Sequence, residues 1–375
     1  MTKRIIILTD PIGKPSYGPR VTYLCEYLMT HGWDVQVYTE WIEDLPFDHD
    51  YPITTRKVYR NKRDWAIKAA WSLLTDWRNR SFSRFVQRQE GKNAPRPAIV
   101  LCTTFSTFPL RAARDLARSL GVPFIADIRD VDEQVPGAQY QSHRAWWTKP
   151  FRAWYSQVNI RRRNKVLREA TALTTISPWH VEFLKQFNTN VHLVYNGYDE
   201  RVFKPEHVST DQFYIRYIGR LYDFQTEAAQ LVREAVEELG MDNIVLEFIH
   251  AGLTREQVVQ KLNSSSVVLV FTSKATHGMM TTKFYEALGC ERPVLCVPDD
   301  EGVLANTIRS THAGGVADTK EQIKQFLLER YNEWQLKGYT QQRTRNNYVY
   351  SRAHQAEQFE SILNNSVALK TRIAP

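Results

Sequence analysis

The sequence predicts an α/β protein of two doubly wound Rossmann-like domains that face each other across a cleft. Three observations predict this class. The chain has 375 residues, about twice the length of one ordinary domain. Apolar runs that suit buried parallel strands alternate with amphipathic helical segments. The alternation restarts after Asn196–Gly197, so a second wound unit is expected to follow the first.

The first domain is predicted to span residues 1–197. Its strand segments are short apolar runs such as RIIILTD, and its helical segments carry apolar residues three and four apart. Strands are predicted at 4–10, 33–39, 98–104, 122–130, 172–177 and 191–197, and helices at 20–32 and 110–121.

The second domain is predicted to span residues 198–345, with the seam between the domains near 197–212. Strands are predicted at 213–219, 244–252, 266–273, 292–300 and 313–318, and helices at 226–240 and 281–289. Residues 346–375 are expected to form a last helical segment that packs back toward the first domain. Ligands of open parallel sheets bind at the carboxyl ends of the strands, so the site is expected in the cleft between the two sheets.

Composition favours a cytoplasmic protein. The four cysteines lie in apolar stretches without close metal-type pairing, which favours reduced thiols. The opening MTKRIIILTD is too short and too strand-like for a signal peptide, and no apolar run approaches the roughly 20 residues of a spanning helix.

The opening loop LTDPIGKPSYGPR carries Gly13 and Gly18 between the first strand and the first helix. A nucleotide-binding P-loop needs a lysine and a hydroxyl residue directly after its second glycine. Pro19 and Arg20 stand there instead, so the loop is not a P-loop. Its glycines would let the backbone approach a ligand closely, while the cations come from elsewhere.

The segment TTKFYEALGCERPVLCV places Lys283 and Glu286 three residues apart, on one helical face. In the first turns of a helix the free N–H groups and the dipole attract anions. A lysine there suits a phosphate, and a carboxylate one turn later suits ribose hydroxyls. The alternative is an exposed Lys–Glu pair, which is common on helices.

Five segments in order resemble the GT-B glycosyltransferases of family 4. They are the glycine-containing opening loop, ALTTISPWHVEFL, VYNGYDERVF, YIGRLYD and TTKFYEALGCERPVLCV. The resemblance covers nearly the whole chain. It implies a retaining transferase that moves a sugar from a nucleotide-diphosphate donor to a glycan hydroxyl in cell-surface polysaccharide biosynthesis. It also implies that neither a metal nor another cofactor is needed.

The resemblance also implies roles for individual residues. Glu286 matches the ribose-binding glutamate, and Arg220 matches the arginine on the donor diphosphate, whose charge would stabilise the leaving group. Gly13 and Gly18 match the loop that lines the cleft near the phosphates. Asn196–Gly197 matches the hinge-side turn, although a simple Asn–Gly turn would look identical.

Two positions depart from the family pattern. Thr226 stands where a lysine is common six residues after the arginine, and Gly278 stands where an acidic residue is common eight before the glutamate. Lys283 is expected to replace the missing charge, and the Gly278 backbone to approach the sugar. His277 is expected to make a polar contact to the donor.

The segment FIADIRDVDEQ places Asp127, Arg129 and Asp130 at the end of a first-domain strand. With Arg20, they are expected on the acceptor side, where Asp130 would orient the acceptor hydroxyl or act as a base. One alternative is that DVD is the metal-binding motif of the GT-A fold, which two wound halves disfavour. Another is a structural Asp–Arg pair.

Two stretches combine cations with large aromatics. Residues 62–92 carry a net charge of +5 and residues 143–169 a net +7, against +8 for the whole chain. Trp147 and Trp154 followed by Arg161, Arg162 and Arg163 suit an interfacial amphipathic helix. The resemblance to family 4 implies that this helix lies at the inner face of the plasma membrane, because many relatives extend lipid-linked sugars there. The alternatives are core aromatics with a solvated basic face, and, less favoured, nucleic-acid binding.

The expected partners are therefore a nucleotide-sugar donor, a glycan or lipid-linked glycan acceptor and an anionic membrane, and not nucleic acid. Two other functions fit the same architecture. One is a non-catalytic relative that uses the cleft for binding or assembly, and the other is a nucleotide-sugar epimerase or a phosphorylase.

Overall fold

The computed structural model describes residues 2–11, 18–41, 50–58, 64, 67–68, 71–72, 75–91, 94–105, 107–134, 149–250, 252–275 and 278–373. Within these residues the chain forms two separate parallel sheets, of seven and five strands. This arrangement confirms the predicted fold class and disfavours the single-sheet GT-A alternative.

The first sheet has the strand order β3-β2-β1-β4-β5-β6-β7, with all pairs parallel. Its strands are β1 (Lys3–Thr9), β2 (Trp33–Trp41), β3 (Ile53–Lys57), β4 (Ile99–Thr104), β5 (Phe124–Ile128), β6 (Ala172–Thr175) and β7 (Val191–Leu193). The helices described with it are α1 (Gly18–Thr30), α2 (Trp77–Glu90), α3 (Leu110–Leu120), α4 (Lys149–Leu167) and α5 (Pro178–Leu184).

The second sheet has the order β12-β11-β10-β8-β9, again with all pairs parallel. Its strands are β8 (Phe213–Ile218), β9 (Ile244–Ile249), β10 (Val267–Phe271), β11 (Val294–Val297) and β12 (Gly314–Val316). The helices are α6 (Thr226–Leu239), α7 (Arg255–Asn263), α8 (Thr282–Gly289), α9 (Val303–Thr311), α10 (Lys320–Lys337) and α11 (Arg352–Ile373).

Alternation along the central strands builds a core on each face of each sheet. In β1, Ile6 and Leu8 pack in one core, while Ile5 and Ile7 pack in the opposite one. All four side chains are fully buried, as expected for a parallel strand covered on both faces. β10 divides its residues between two further cores in the same way.

Helix α11 packs on the first domain, although it follows the second in the chain. Its residues Ala356, Phe359, Ile362 and Leu363 belong to the core that contains β1 and α1. A short bridge between Tyr198 and Ser351 ties the start of this helix to the segment that joins the two domains. The helix therefore begins beside the hinge and ends on the first domain.

Candidate functional site

A cleft of about 270 Å³ lies between the two domains. From the first domain it is lined by residues that directly follow β4, β5 and β6, including Phe105, Asp130 and Ile176. From the second domain it is lined by the segment after β8 and by the start of α8. The carboxyl ends of strands from both sheets thus meet at one cavity, as the sequence predicts.

Helix α8 borders the cleft with its first turn, where Lys283 lines the cavity, and Glu286 follows one turn further along the same helix. Both residues are partly buried, and they do not form an ion pair within 4.0 Å. Burial lowers the pKa of Lys283, and burial raises the pKa of Glu286 to about 7, against the opposing charge of Lys283. These two side chains therefore differ from the exposed Lys–Glu pair of the alternative interpretation.

The ammonium group of Lys283 is held against the end of β8. Its Nζ lies 5.0 Å from the centroid of the Tyr217 ring. Gly219 has φ +128°, a backbone conformation that favours glycine, and the Lys283 side chain packs against it, since a Cβ atom there would lie 2.7 Å from Lys283 Cε. The strand end and the lysine are packed as one unit facing the cleft.

Arg220 follows this glycine and is exposed. Its guanidinium lies 5.3 Å from the ring centroid of Tyr222, a residue that lines the cleft. Its carbonyl oxygen accepts a 2.8 Å hydrogen bond from the Tyr217 hydroxyl, which fixes the backbone. Arg220 thus lies next to a residue that lines the cleft, with its backbone held by Tyr217, and Thr226 begins helix α6 six residues later.

Gly278 lies at a contact between the domains. It has φ +75°, and a Cβ there would collide with the Trp179 side chain of α5. Its carbonyl oxygen accepts a 2.6 Å hydrogen bond from Ser177 Oγ in the first domain. Gly18 begins α1 and is partly buried. The predicted site residues Gly13 and His277 lie outside the described residues.

Arg20 and Asp127 contact each other, which differs from the expectation that they face an acceptor. Arg20 donates to both carboxylate oxygens of Asp127, at 3.1 and 3.2 Å. Its remaining N–H groups bond to the carbonyls of Val194 and Tyr195 and to Asn196 Oδ1. All five guanidinium donors are therefore used by the protein.

The carboxylate of Asp127 likewise has all its hydrogen-bond partners within the protein. It is 1 % exposed and also accepts hydrogen bonds from Thr103 and Thr174, at 2.7 and 2.8 Å. The ion pair thus ties α1 to β5 and to the hinge segment. Asp127 therefore belongs to a structural Asp–Arg pair, which was one of the two alternative interpretations. Its partner is Arg20 and not Arg129.

Arg129 and Asp130 follow β5 at the floor of the cleft. Arg129 is buried, and its guanidinium lies 3.6 Å from the Phe105 ring centroid and 4.0 Å from Asp10. Asp130 remains accessible to solvent. The surrounding protein still desolvates it enough to raise the pKa of its carboxyl to about 6. Asp130 can therefore accept or donate a proton near neutral pH.

Only some of the residues that were predicted to face a membrane are exposed on the basic helix α4. Trp154 is 50 % exposed, and Arg161 is exposed. Arg162 donates to the Ser72 carbonyl at 3.1 Å, which joins the two basic stretches. Arg163 is 2 % exposed and bonded to Glu133 at 2.6 Å, so its assignment to a membrane surface is wrong. Trp147 lies outside the described residues.

His180 and Arg352 are among the residues that line the cleft but were not predicted as site residues. His180 is buried, although its position in a short helix suggests a solvated surface. Its Nδ1 lies 3.1 Å from Thr175 Oγ1, and its Nε2 lies 2.9 Å from Gln134 Oε1. Burial lowers its pKa to about 4, so the ring is neutral at pH 7. Arg352 reaches the cleft from α11. No motif marks it, because its place depends on a distant helix packing across the hinge.

The raised pKa of Glu286 predicts a pH-dependent stability. A folded-state pKa of about 7 lies above the ordinary value of 4.5, so the folded protein holds this proton more tightly than the unfolded chain. The stabilising contribution is fully present below pH 4.5 and is lost as the pH rises to 7. We expect the unfolding free energy of the wild type to fall relative to Glu286→Gln across this range. Urea unfolding at a series of pH values measures the difference, and parallel curves would contradict the prediction.

None of the helices in the described residues is long and apolar enough to cross a membrane. The same residues contain no cluster of three or more His, Cys, Asp or Glu side chains placed to hold a metal ion.

Comparison with known proteins relates this architecture to glycosyl transfer. Residues 19–202 match the family model of Glycosyltransferase Family 4. No curated protein matches the sequence.

Solved structures match the whole chain. A sucrose-phosphate synthase from Thermosynechococcus elongatus superposes with TM-score 0.64 at 13 % identity, covering 98 % of this chain and 100 % of its own. Anabaena HepE, solved with UDP and glucose, gives 0.59 at 12 % identity, covering 96 % and 99 %. A UDP-GlcNAc 2-epimerase from Methanocaldococcus jannaschii gives 0.55 at 12 % identity, with 96 % and 99 % covered. Identities this low show a shared fold, and the match in sequence lies in the first domain. The chain is therefore a GT-B protein whose first domain matches glycosyltransferase family 4.

Proposed function

We propose that the protein is a retaining glycosyltransferase. It moves a hexosyl residue from a nucleotide-diphosphate donor to a hydroxyl of a lipid-linked glycan, in cell-surface polysaccharide biosynthesis. The observation that carries the proposal is the cleft between two parallel sheets, which is lined by the partly buried Lys283 and bordered by a helix that carries a partly buried carboxylate, Glu286, one turn further on. The family match and a structural neighbour solved with UDP and glucose support a nucleotide-sugar donor.

The donor is held by the second domain. Lys283 in the first turn of α8 binds the diphosphate, where the helix N-terminus adds its free N–H groups. Glu286, one turn further, accepts hydrogen bonds from the ribose hydroxyls. Arg220, next to a residue that lines the cleft, binds the departing phosphate, since its side chain is exposed and its backbone is fixed.

The transfer proceeds on one face of the sugar. The bond between C1 and the diphosphate oxygen breaks, and a bond from C1 to the acceptor oxygen forms on the same face. The acceptor proton passes to the departing phosphate oxygen, so no protein nucleophile is required. Lys283 and Arg220 stabilise the charge that develops on the diphosphate. Asp130, accessible at the cleft floor, orients the acceptor hydroxyl.

A panel of nucleotide sugars tests this function. The purified protein is screened for thermal stabilisation by each donor, and the best donor is incubated with lipid-linked glycans. The expected result is release of the nucleoside diphosphate together with a glycan one sugar longer. A protein that binds a nucleotide sugar but leaves it intact under all conditions would be a non-catalytic relative.

Analysis of the reaction products also distinguishes a transferase from the second candidate function, a nucleotide-sugar epimerase. UDP-GlcNAc 2-epimerases are among the proteins that share this fold. An epimerase would convert the nucleotide sugar into an isomer of the same mass without any acceptor. A changed donor that retains its nucleotide would therefore favour that function over transfer.

Replacing Arg220 tests the diphosphate contact. We expect Arg220→Ala to lower kcat at least about 30-fold, as expected for the loss of a charge-assisted contact in the transition state. The matched control is Arg233→Ala, because Arg233 is also exposed and lies 4.1 Å from an aromatic ring centroid. Control and wild type should have equal rates. Equal rates for Arg220→Ala would remove this residue from the site.

The exposed side of the basic stretches predicts binding to anionic membranes. Ile67, Trp71, Trp154 and Tyr155 are each at least 38 % exposed, and Arg161 lies on the same helix as the last two. Aromatic residues at headgroup level beside cations favour an interfacial position, at about 1 kcal/mol per cation. We expect sedimentation with phosphatidylserine vesicles that weakens with salt.

A charge reversal provides the control for membrane binding. Arg161→Glu should reduce sedimentation severalfold, whereas Lys204→Glu, exposed on the second domain, should not. Equal binding to neutral and anionic vesicles would contradict an electrostatic attachment.

A further inference from the structure

Arg352 is a buried arginine whose guanidinium is not satisfied by the described part of the protein. The residue begins α11 and is 9 % exposed. Its backbone N–H donates to the Tyr198 carbonyl, which fixes the start of the helix. Its Nε and Nη1 atoms are buried and lack a hydrogen-bond partner among the described residues. The side chain also lines the cleft.

Three other buried arginines, Arg20, Arg216 and Arg292, have protein acceptors for their guanidinium groups. Arg292 is 1 % exposed and bonds through Nε, Nη1 and Nη2 to three carbonyl oxygens at 2.7 to 3.0 Å. Arg20 uses all five donors, and Arg216 bonds to Glu247 and to the Lys261 carbonyl. Since burying a cation without partners is costly, the open donors of Arg352 indicate a missing acceptor.

The atoms around Arg352 lack the same kind of partner. Gln355 lies one turn along α11 and is 3 % exposed, and its Nε2 is unpartnered. The hydroxyl of Tyr285 on α8 is fully buried and also unpartnered. Amide and guanidinium N–H groups only donate hydrogen bonds, and a hydroxyl can donate. Gln355 borders a small cavity beside Arg352, and neither Gln355 nor Tyr285 lines the cleft, so of these three side chains only Arg352 can offer its open donors to an acceptor bound there.

The volumes of the two cavities beside Arg352 show where a water molecule and where a larger group could bind. A small cavity of about 10 Å³ lies between Arg20, Arg352 and Gln355, room for about one water molecule. The cleft itself, which Arg352 also lines, holds about 270 Å³. A polyatomic anion can therefore reach the guanidinium only from the cleft side.

The charges of the cleft favour a diphosphate over a single carboxylate. Four basic residues of the described chain line the cleft: Arg20, Arg129, Lys283 and Arg352. Arg20 is neutralised by Asp127, and Arg129 lies 4.0 Å from Asp10. Among the described residues, Lys283 and Arg352 have no ion-pair partner within 4.0 Å. Together with the neighbouring Arg220, these cations favour a multiply charged diphosphate over a single carboxylate.

We propose that Arg352 binds phosphate oxygens of the nucleotide-diphosphate donor, an inference that rests on the proposed function. Lys283 supplies a cation from the second domain, and Arg352 supplies another from a helix packed in the first-domain core. The donor diphosphate then bridges the two domains. Occupancy of the site holds them together around the sugar, which excludes water from the reaction.

Arg352 keeps its charge at neutral pH. Burial lowers its pKa to about 10, and the neighbouring charge of Arg20 acts in the same direction. The charge of Arg255 also lowers the pKa of Arg352, whereas the charges of Asp199 and Glu286 raise it. The guanidinium is thus cationic wherever the protein is assayed, and the unliganded fold carries the cost of its burial.

The test compares Arg352→Met with the wild type by titration calorimetry and thermal unfolding. The probes are the nucleoside diphosphate of the best donor, the matching nucleoside and inorganic pyrophosphate. We expect about 30-fold weaker binding of the diphosphate and pyrophosphate, as for lost charge-assisted hydrogen bonds. Nucleoside affinity should not change, and Arg352→Lys should be intermediate.

Unliganded stability provides a second readout. Arg352→Met should melt at the wild-type temperature or above it, because it removes a buried cation without partners. Arg292→Met is the matched control and should melt lower, because it leaves three buried carbonyls unpaired. A melting temperature of Arg352→Met as low as that control, with unchanged diphosphate affinity, would show a structural role and overturn the inference.

The remaining outcomes separate this inference from the proposed function. If the wild type binds neither a nucleoside diphosphate nor pyrophosphate, the proposed function fails and the inference fails with it. If the wild type binds them and Arg352→Met binds them equally, only the assignment of Arg352 fails. Equal weakening of nucleoside and diphosphate would also overturn the phosphate contact.

Discussion

Replacing Glu286 with glutamine is expected to lower kcat/KM for sugar transfer about 100-fold while the fold remains intact. The carboxylate would accept hydrogen bonds from two ribose hydroxyls, and bonds to a charged group contribute about 1.5–3 kcal/mol each. Glutamine keeps the shape but removes the charge and turns one acceptor into a donor. The fold should not suffer, because burial already raises the pKa of Glu286 to about 7.

Steady-state kinetics with the best donor, alongside circular dichroism, measure this effect. Glu227→Gln is the matched control, since Glu227 is exposed on α6. It should retain the wild-type rate. Full transfer activity in Glu286→Gln would remove the ribose contact from the account.

Replacing Asp127 with alanine should have the largest effect on stability, a loss of about 3–5 kcal/mol as for breaking a buried ion pair from one side. The variant would leave the buried guanidinium of Arg20 uncompensated and two buried threonine hydroxyls without their acceptor. Since Arg20 also bonds to the hinge segment, the loss should extend to the junction of the domains.

Urea unfolding of a double-mutant cycle checks this prediction. Arg20→Met together with Asp127→Ala should be less destabilised than the sum of the two single variants. Asp242→Ala, at an exposed position, should change stability by less than about 0.5 kcal/mol. Additive losses in the cycle would show that the two side chains do not depend on each other.

The fold could be predicted because its signals are local. Buried parallel strands such as β1, β4 and β10 are continuous apolar runs of the kind that identifies them in the sequence. The restart after residue 197 predicts a second sheet, and β8 begins at Phe213. Strand β3 was missed, because Ile53–Lys57 is a partly exposed edge strand of mixed polarity.

The site could be predicted only where its residues share one element. Lys283 and Glu286 are three apart on α8, so their common face follows from helical geometry. Arg20 and Asp127 are 107 residues apart, and their ion pair follows only from the packing of α1 on β5. The sequence therefore identifies both as polar residues near strand ends but cannot distinguish a ligand contact from a structural one.

Charge runs are ambiguous for the same reason. Arg161, Arg162 and Arg163 are consecutive, but a helix directs them to different sides. One is exposed, one bonds to the Ser72 carbonyl and one is buried against Glu133. Arg352 illustrates the opposite case, an arginine in an ordinary helical segment that reaches the cleft because α11 crosses from one domain to the other.

The cleft between the two sheets is expected to bind a nucleoside diphosphate, and a crystal structure with the nucleoside diphosphate of the best donor is the decisive experiment. We expect ribose hydroxyls within about 3 Å of the Glu286 carboxylate, and phosphate oxygens at a similar distance from Lys283 Nζ. A nucleotide bound outside this cleft, or an empty cleft at millimolar nucleotide, would refute this mode of binding.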